Sequence, residues 1–274
     1  MENLKIIKNR LKTVDTIIKA TNAMKIVSTV KLSRLNNKNK FSNDCSNIIL
    51  DMLKRVIRES IFIQDFENNI WFKRNSGKTL VIVLSTDQGF CGSFSQNIIN
   101  LANNVIKDNP EPYIEVFGKK ANAMKQSNIV EDKFDIKAFA KLIADLAYDY
   151  IINKGVYKLF VISSEFKNVL VQKPKCSQIF PIEIDNQTNE YLKIECNIYH
   201  LLDDLLYEYL LKFFTGCITE HLFSELSARV MAMDHSVKNA KNMLDELRIL
   251  YNRIRQAKIT QELTEIVSSV ECVQ

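Results

Sequence analysis

The sequence predicts an α/β domain carried between two long terminal helices that pair as an antiparallel coiled coil. Three observations lead there. All six glycines and all four prolines fall between Gly77 and Gly216, so helix breakers are missing from the first 76 and the last 58 residues. The C-terminal stretch holds an unbroken apolar repeat, and the middle alternates apolar strand-like runs with amphipathic helix-like ones.

The C-terminal repeat runs through Phe223, Leu226, Val230, Met233, Val237, Ala240, Leu244, Leu247, Tyr251 and Ile254 in steps of three and four. That 3.5-residue period is the seam of a left-handed coiled coil. At the other end, Leu4, Ile7, Leu11, Val14 and Ile18 make a shorter run. It passes Thr21, shifts register through Met24, Val27 and Val30, and resumes after the polar stretch 36–40 as Ile49, Met52, Val56 and Ile63. Neither helix can bury its stripe alone, so each is the other's natural partner. A helix of about 60 residues would be about 90 Å long, longer than a compact domain of this size needs.

Between them, TLVIVLS (79–85), YIEVF (113–117) and KLFVIS (158–163) read as strands. Residues 95–107 and 139–152 read as helices, the first with Ile98, Leu101, Ala102 and Val105 on one face. Residues 169–171, 179–184 and 192–199 suggest further edge strands. Strands alternating with helices favour a parallel, Rossmann-like sheet. The expected segments are an N-terminal helix over 1–75, a central α/β domain over 76–200 and a C-terminal helix over 201–274.

Charge is uneven. Residues 1–40 carry ten Lys/Arg against two acids, a net +8, while the remainder is −3, giving the overall +5. A basic arm asks for an acidic partner. No apolar run is long enough to span a membrane. The N-terminus, MENLK, has no apolar signal segment. The six cysteines (45, 91, 176, 196, 217 and 272) are scattered with no CxxC pair, which points to free thiols in a reducing compartment.

The stretch STDQGFCGSF (85–94) invites a chemical reading, because a strand runs into a glycine-containing turn and then a helix. A phosphate loop needs GxxxxGK[ST], and a dinucleotide fingerprint needs GxGxxG. Only Gly89-x-x-Gly92 is present, which fits a tight structural turn. Cys91 as a nucleophile would need a base, and nothing in the sequence selects one from His200, His221 and His235. The adjacent acids Asp203-Asp204 and Asp245-Glu246 point around a helix, not at one ion. No catalytic constellation, cofactor site or metal site emerges. A coiled coil attached to an α/β domain describes a mechanical or interaction part.

Three stretches together resemble the gamma subunit of F-type ATP synthases: IKNRLKTVDTIIKATNAMKIVSTVKL (7–32), STDQGFCGSFSQNI (85–98) and SELSARVMAMDHSVKNAKNMLDELRILYNRIRQAKITQELTEIV (224–267). They occur in that family's order and spacing, and the resemblance covers the whole chain. It implies a non-catalytic central-stalk rotor without cofactors. The rod would enter a ring of three alpha and three beta subunits, and the α/β domain would sit with the epsilon subunit on the membrane ring of c subunits. Proton flow would turn the c-ring and this chain with it, driving the catalytic beta subunits through their conformations in turn.

The resemblance also implies site residues. Met24 matches the methionine facing the acidic lever loop of a beta subunit, and Lys25, with the other N-terminal bases, would complement that loop. Arg255 and Gln256 match the pair that hydrogen-bonds a beta-subunit loop, with Thr260 and Glu262 in the same patch. Asp87, Gly89, Cys91 and Gly92 belong to the family's signature turn. The chain departs from the pattern at Asn22, where lysine is frequent, and at Ser269-Val270, where the family has Gly-Ala.

Rival readings are a basic coiled-coil nucleic-acid-binding or scaffold protein and an α/β enzyme using Cys91. The bases interleave with Leu4, Ile7, Leu11 and Val14 instead of preceding the heptads, which counts against the first. A composition rich in Asn, Ile and Lys and the absence of a transit peptide lead to the expectation of a bacterial protein. It would lie on the cytoplasmic side of the inner membrane, held there by its partners, with no nucleic acid bound.

Overall fold

The computed structural model describes residues 4–36, 42–61, 77–122, 124, 135–182 and 198–271. Among these residues five α-helices and four strands follow in the order α1 (Leu4–Asn36), α2 (Ser42–Ile61), β1 (Thr79–Leu84), α3 (Phe94–Lys107), β2 (Tyr113–Phe117), α4 (Ile136–Ile152), β3 (Lys158–Phe166), β4 (Gln172–Phe180) and α5 (Ile198–Glu271), with one 3-10 turn at Lys119–Ala121. Ile63 and the expected strand residues 192–197 lie outside the described residues, and Ile198 opens α5.

By its internal contacts the chain divides into two units, 1–29 with 229–274, and 30–228. This division cuts through both terminal helices instead of falling at 76 and 200. The reason is apolar surface: Leu35 of α1, Leu53 and Ile57 of α2, and Leu206, Phe214 and Leu222 of α5 are buried in the same core as the sheet. Those stretches belong with the α/β elements.

In the unit 30–228 the sheet order is β2-β1-β3-β4. β1 pairs in parallel with β2 and with β3, while β3 and β4 are antiparallel. The expected all-parallel sheet therefore gains an antiparallel edge. The cause is length: five residues join β3 to β4, and a parallel crossover needs a dozen or more. Residues 169–171, expected as a strand, form the tip of this hairpin. There the Asn168 side chain accepts the amides of Leu170 and Val171 at 2.9 and 2.7 Å and so competes with strand pairing.

β1 is buried at every position, as a central strand with both faces covered must be. Leu80, Ile82 and Leu84 face a core shared with α4, α2 and α5. Val81 and Val83 face a second core built from Phe94, Ile98 and Ala102 of α3, with Val116, Ile162 and Ala228. From β1 the chain moves to one neighbour through α3, then from β2 back across β1 to β3 through α4. Right-handed crossovers in opposite directions put those two helices on opposite faces. Asp135 caps α4 by accepting the Ala138 amide at 3.3 Å.

One buried polar pair ties a helix to the sheet: Tyr150 of α4 donates to the Glu115 carboxylate of β2 at 2.6 Å. Burial and this hydrogen bond push the Tyr150 phenol well above its ordinary value. Tyr150→Phe is expected to destabilise this unit by ~1–3 kcal/mol, because a buried carboxylate loses a donor. Urea unfolding of the two chains measures it.

In the other unit, α1 and α5 pack side by side. Lys25 bonds Asp234, while Ile6, Arg10, Thr13 and Val14 line one groove with Met243 and Leu247. Ascending numbers on α1 thus meet descending numbers on α5, and the pair is antiparallel. The α5 seam is the expected one: Met233, Val237 and Leu244 are buried, with Val230, Ala240, Leu247, Tyr251 and Ile254 half-buried between them.

Candidate interaction surface

The N-terminal seam departs from expectation. It stays in one heptad register, with Ile7, Val14 and Ser28 buried and Leu11, Ile18, Thr21 and Lys25 half-buried. There is no shift onto Met24, Val27 and Val30, which are exposed. A register shift would have kept the seam apolar. The structure instead accepts Thr21, Lys25 and Ser28 at seam positions, and Lys25 is compensated by Asp234 of the facing helix. Ile17, Met24 and Val27 then form a separate apolar line on the outside of α1.

Lys25 therefore serves its own coiled coil, while Met24 beside it is open. The hydrogen bond from Lys25, and then its charge, hold the Asp234 carboxyl below the ordinary aspartate value of 3.8. A lowered acid stabilises the folded state above its unfolded pKa and loses that contribution as pH falls through the folded value. Acid titration followed by helical circular dichroism should show the coiled coil of Lys25→Met less sensitive to pH below 3.8 than that of the wild type.

Beyond Ile254, every α5 residue from 255 to 268 is exposed. Counting along the antiparallel pair from Lys25–Asp234, Leu4 lies opposite about residue 255, so no described α1 residue faces the stretch beyond it. Arg255 and Gln256 stand at its start. Among the described residues no side chain pairs with the Arg255 guanidinium. Thr260 donates back to the Gln256 carbonyl at 3.0 Å, and Glu262 lies 3.6 Å from Lys258. All four expected residues share this one helical end. The sequence reading missed the apolar residues around them: Ile259, Leu263 and Ile266, spaced four and three apart, with Val267, are all exposed. Their spacing was visible, off the positions 258, 261 and 265 that would continue the seam ending at Ile254: Ile259 and Ile266 fall one residue past it and Leu263 two. The side chains of Ser269 and Val270 lie outside the described residues.

The signature turn is structural in its details. Cys91 is buried, packed with Val81, Val83, Phe94 and Ile98, and its Sγ is 3.4 Å from Ser95 Oγ. A hydroxyl is no base for a thiolate. Thr86 and Ser95 hydroxyls share a 2.6 Å hydrogen bond. The Asp87 carboxylate accepts the Lys119 amide at 3.1 Å, and Gly89 sits against the Lys120 side chain. Gly92 takes the left-handed φ of 61° that glycine tolerates best. The half-buried Asp87 carboxylate already takes the Lys119 amide, and a negative group beside this turn opposes a phosphate cradle. Cys217 is no better placed as a nucleophile, since burial pushes its thiol up to about 11. No group of three or more His, Cys, Asp or Glu among the described residues could hold a metal ion.

The reading also missed Gly118, which ends β2 at φ 127° directly against the backbone of Ser85. The signal was there, a glycine immediately after an apolar strand.

The fold and this surface define a two-helix coiled coil joined to an α/β unit, with a helical end left uncovered and no catalytic cluster among the described residues. The ATP synthase family model matches residues 3–273. The ATP synthase gamma chain of Mycoplasmopsis pulmonis (strain UAB CTIP) is 33% identical over 285 residues, covering 99% of this chain and 100% of that one. The gamma chain of Clostridium botulinum (strain Kyoto / Type A2) is 32% identical over 97% of this chain and 96% of that one. The chain belongs to the ATP synthase gamma chain family.

Solved structures share the fold. A chain of the Euglena gracilis mitochondrial ATP synthase, OSCP/F1/c-ring in rotational state 3, aligns with a TM-score of 0.66 at 14% identity, covering 98% of this chain and 94% of that one. A chain of the Euglena rotor in rotational state 1 aligns at 0.62, also 14% identical, covering 93% and 98%. Neither the nucleic-acid reading nor the thiol-enzyme reading finds support in these relatives. No helix among the described residues is long and apolar enough to cross a membrane.

Proposed function

We propose that this subunit is the central-stalk rotor of a bacterial F-type ATP synthase, non-catalytic itself. It would couple ion flow through a membrane ring of c subunits to the conformational cycle of three catalytic beta subunits. The observation that carries this reading is the uncovered end of α5. A helix that leaves its partner and continues through residues 255–268 with exposed Ile259, Leu263, Ile266 and Val267 needs an apolar sleeve around it. A ring of alpha and beta subunits supplies one.

Arg255 and Gln256 would hydrogen-bond a beta-subunit loop just below that sleeve, with Thr260 and Glu262 in the same patch. Arginine suits the task because its planar fork makes directed, charge-assisted bonds. Met24, on the exposed line with Ile17 and Val27, would meet the acidic lever loop. Lys25 would reach that loop only by sharing its bond to Asp234. The turn around Asp87, Gly89, Cys91 and Gly92 would keep the end of the sheet rigid. Coupling follows from differential contact: each beta conformation is stabilised by the face of the shaft turned toward it, so rotation shifts the three populations in order. The epsilon subunit and the c-ring would be its other partners, on the cytoplasmic face of the inner membrane, with attachment only through them.

The test mixes the purified chain with alpha and beta subunits from the same source. A complex with one copy of this chain per three alpha–beta pairs, and ATPase activity above that of the mixture lacking it, is expected. No complex and no activation would overturn the proposal.

A further inference from the structure

Between α2, the β3–β4 pair and α5 lies a cavity of about 330 Å³, wholly inside the 30–228 unit. It arises where one face of the sheet turns polar. Leu159 and Val161 of β3 are buried in the core shared with α2 and α5, but the next residue on that face is Ser163. Ser163 pairs across the strands with Lys175, and Val161 pairs with Ser177. Three polar side chains thus stand where apolar ones would fill the space. Leu50, Tyr209 and Phe213 supply apolar walls, and Glu220 adds a carboxylate.

The polar groups are not used up within the protein. Tyr209 is 6% exposed, yet among the described residues nothing bonds its hydroxyl. A buried phenol usually has a partner. The Ser177 hydroxyl and the Lys175 ammonium also lack a hydrogen-bond or ion-pair partner among the described residues. Glu165, whose carboxyl feels the Lys175 charge, is bonded by Lys167 instead. Glu220 accepts the Phe166 amide through one oxygen at 3.1 Å, which leaves its second oxygen open. Cys217, also on the cavity wall, senses both charges. Burial pushes its thiol up, the Ser163 hydroxyl donates to it, and then Glu220 raises and Lys175 lowers its pKa. A cation and an anion that do not pair with each other therefore face one small space.

We propose that this cavity binds a free α-amino acid with an apolar side chain. The ligand carboxylate would accept from Lys175, Ser177 and Tyr209. Its ammonium would donate to Glu220, and its side chain would lie against Leu50 and Phe213. Ligand sites span about 300–1,000 Å³, and a cavity at the small end suits a metabolite of this size. A plain anion would meet the Glu220 carboxylate and a plain cation the Lys175 ammonium, whereas a zwitterion gives each buried charge a partner. The site is independent of the rotor reading.

Calorimetry on the full-length chain tests it with four probes. These are L-leucine, leucinamide (no carboxylate), 4-methylpentanoate (no ammonium) and glycine (no side chain). Saturable one-to-one binding of L-leucine is expected, with each of the other three weaker by about tenfold or more. Tyr209→Phe should keep the wild-type circular dichroism and urea midpoint, because no protein group loses a partner, and should bind L-leucine more weakly. Lys175→Gln should weaken L-leucine about tenfold or more and narrow its advantage over leucinamide, a change that a merely structural lysine would not produce. No saturable heat up to the solubility limit of L-leucine overturns the proposal. Equal affinity for L-leucine and 4-methylpentanoate overturns it in favour of a plain anion site. Wild-type affinity in both variants puts the binding elsewhere on the chain and overturns it too.

Discussion

Gly118→Ala is expected to unfold the 30–228 unit under conditions where the wild-type chain is stable. Gly118 has φ 127° and ψ 126°, a region populated almost only by glycine, and forcing another residue there costs ~1–3 kcal/mol. A Cβ at this position would stand 2.2 Å from the Ser85 carbonyl oxygen and 2.4 Å from its carbon. Neither atom can move freely. The Ser85 amide is bonded to the Phe117 carbonyl at 2.7 Å, and the following Thr86 carbonyl accepts the Lys120 amide at 3.0 Å. Relief would have to part β1 from β2 at their carboxyl ends, at an overpacking cost of ~1–3 kcal/mol. Together these reach about 2–6 kcal/mol, a large part of the ~5–15 kcal/mol that stabilises a domain. Urea unfolding monitored by near-ultraviolet circular dichroism measures the loss. A change under about 1 kcal/mol would mean that the two strand ends can separate freely, contrary to the packing described.

Replacing Arg255 and Gln256 together with alanine should leave the isolated chain unchanged and cripple the assembly. Both are exposed on α5 beyond its pairing with α1, so folding loses nothing. In the assembled enzyme the proposed loop contact would lose charge-assisted bonds that contribute ~1.5–3 kcal/mol each. About 1.4 kcal/mol is tenfold, so steady-state ATPase of the reconstituted complex should fall about tenfold or more. Activity equal to wild type, with equal complex yield, would remove these residues from the coupling contact.

The elements that were legible in the sequence are those where one force dominates. β1 was read almost to the residue because a six-residue apolar run buried on both faces has no other stable use. The α5 seam was read because Met233, Val237 and Leu244 repeat with charge between them. The α1 seam was misread at Met24, since apolar residues were followed where the helix keeps register through Thr21, Lys25 and Ser28. The compensation for Lys25 lies 209 positions away at Asp234, and single-chain periodicity cannot see it. The hairpin was missed because Val169, Leu170 and Val171 have strand propensity, while Asn168 overrides it with two local bonds. The exposed line on the last turns of α5 was written in the sequence too, but an apolar residue at helical spacing reads as core until the partner helix is known to have ended.

The central claim is that the 30–228 unit turns while the uncovered end of α5 is held in the ring. A bead attached to that unit through a cysteine introduced at exposed Lys107, in complexes immobilised by their beta subunits, makes the motion visible under ATP. Rotation in one direction, in three steps per turn, is expected, slowed about tenfold or more with Arg255→Ala and Gln256→Ala together. A complex that hydrolyses ATP at full rate while the bead only fluctuates about one orientation would contradict it.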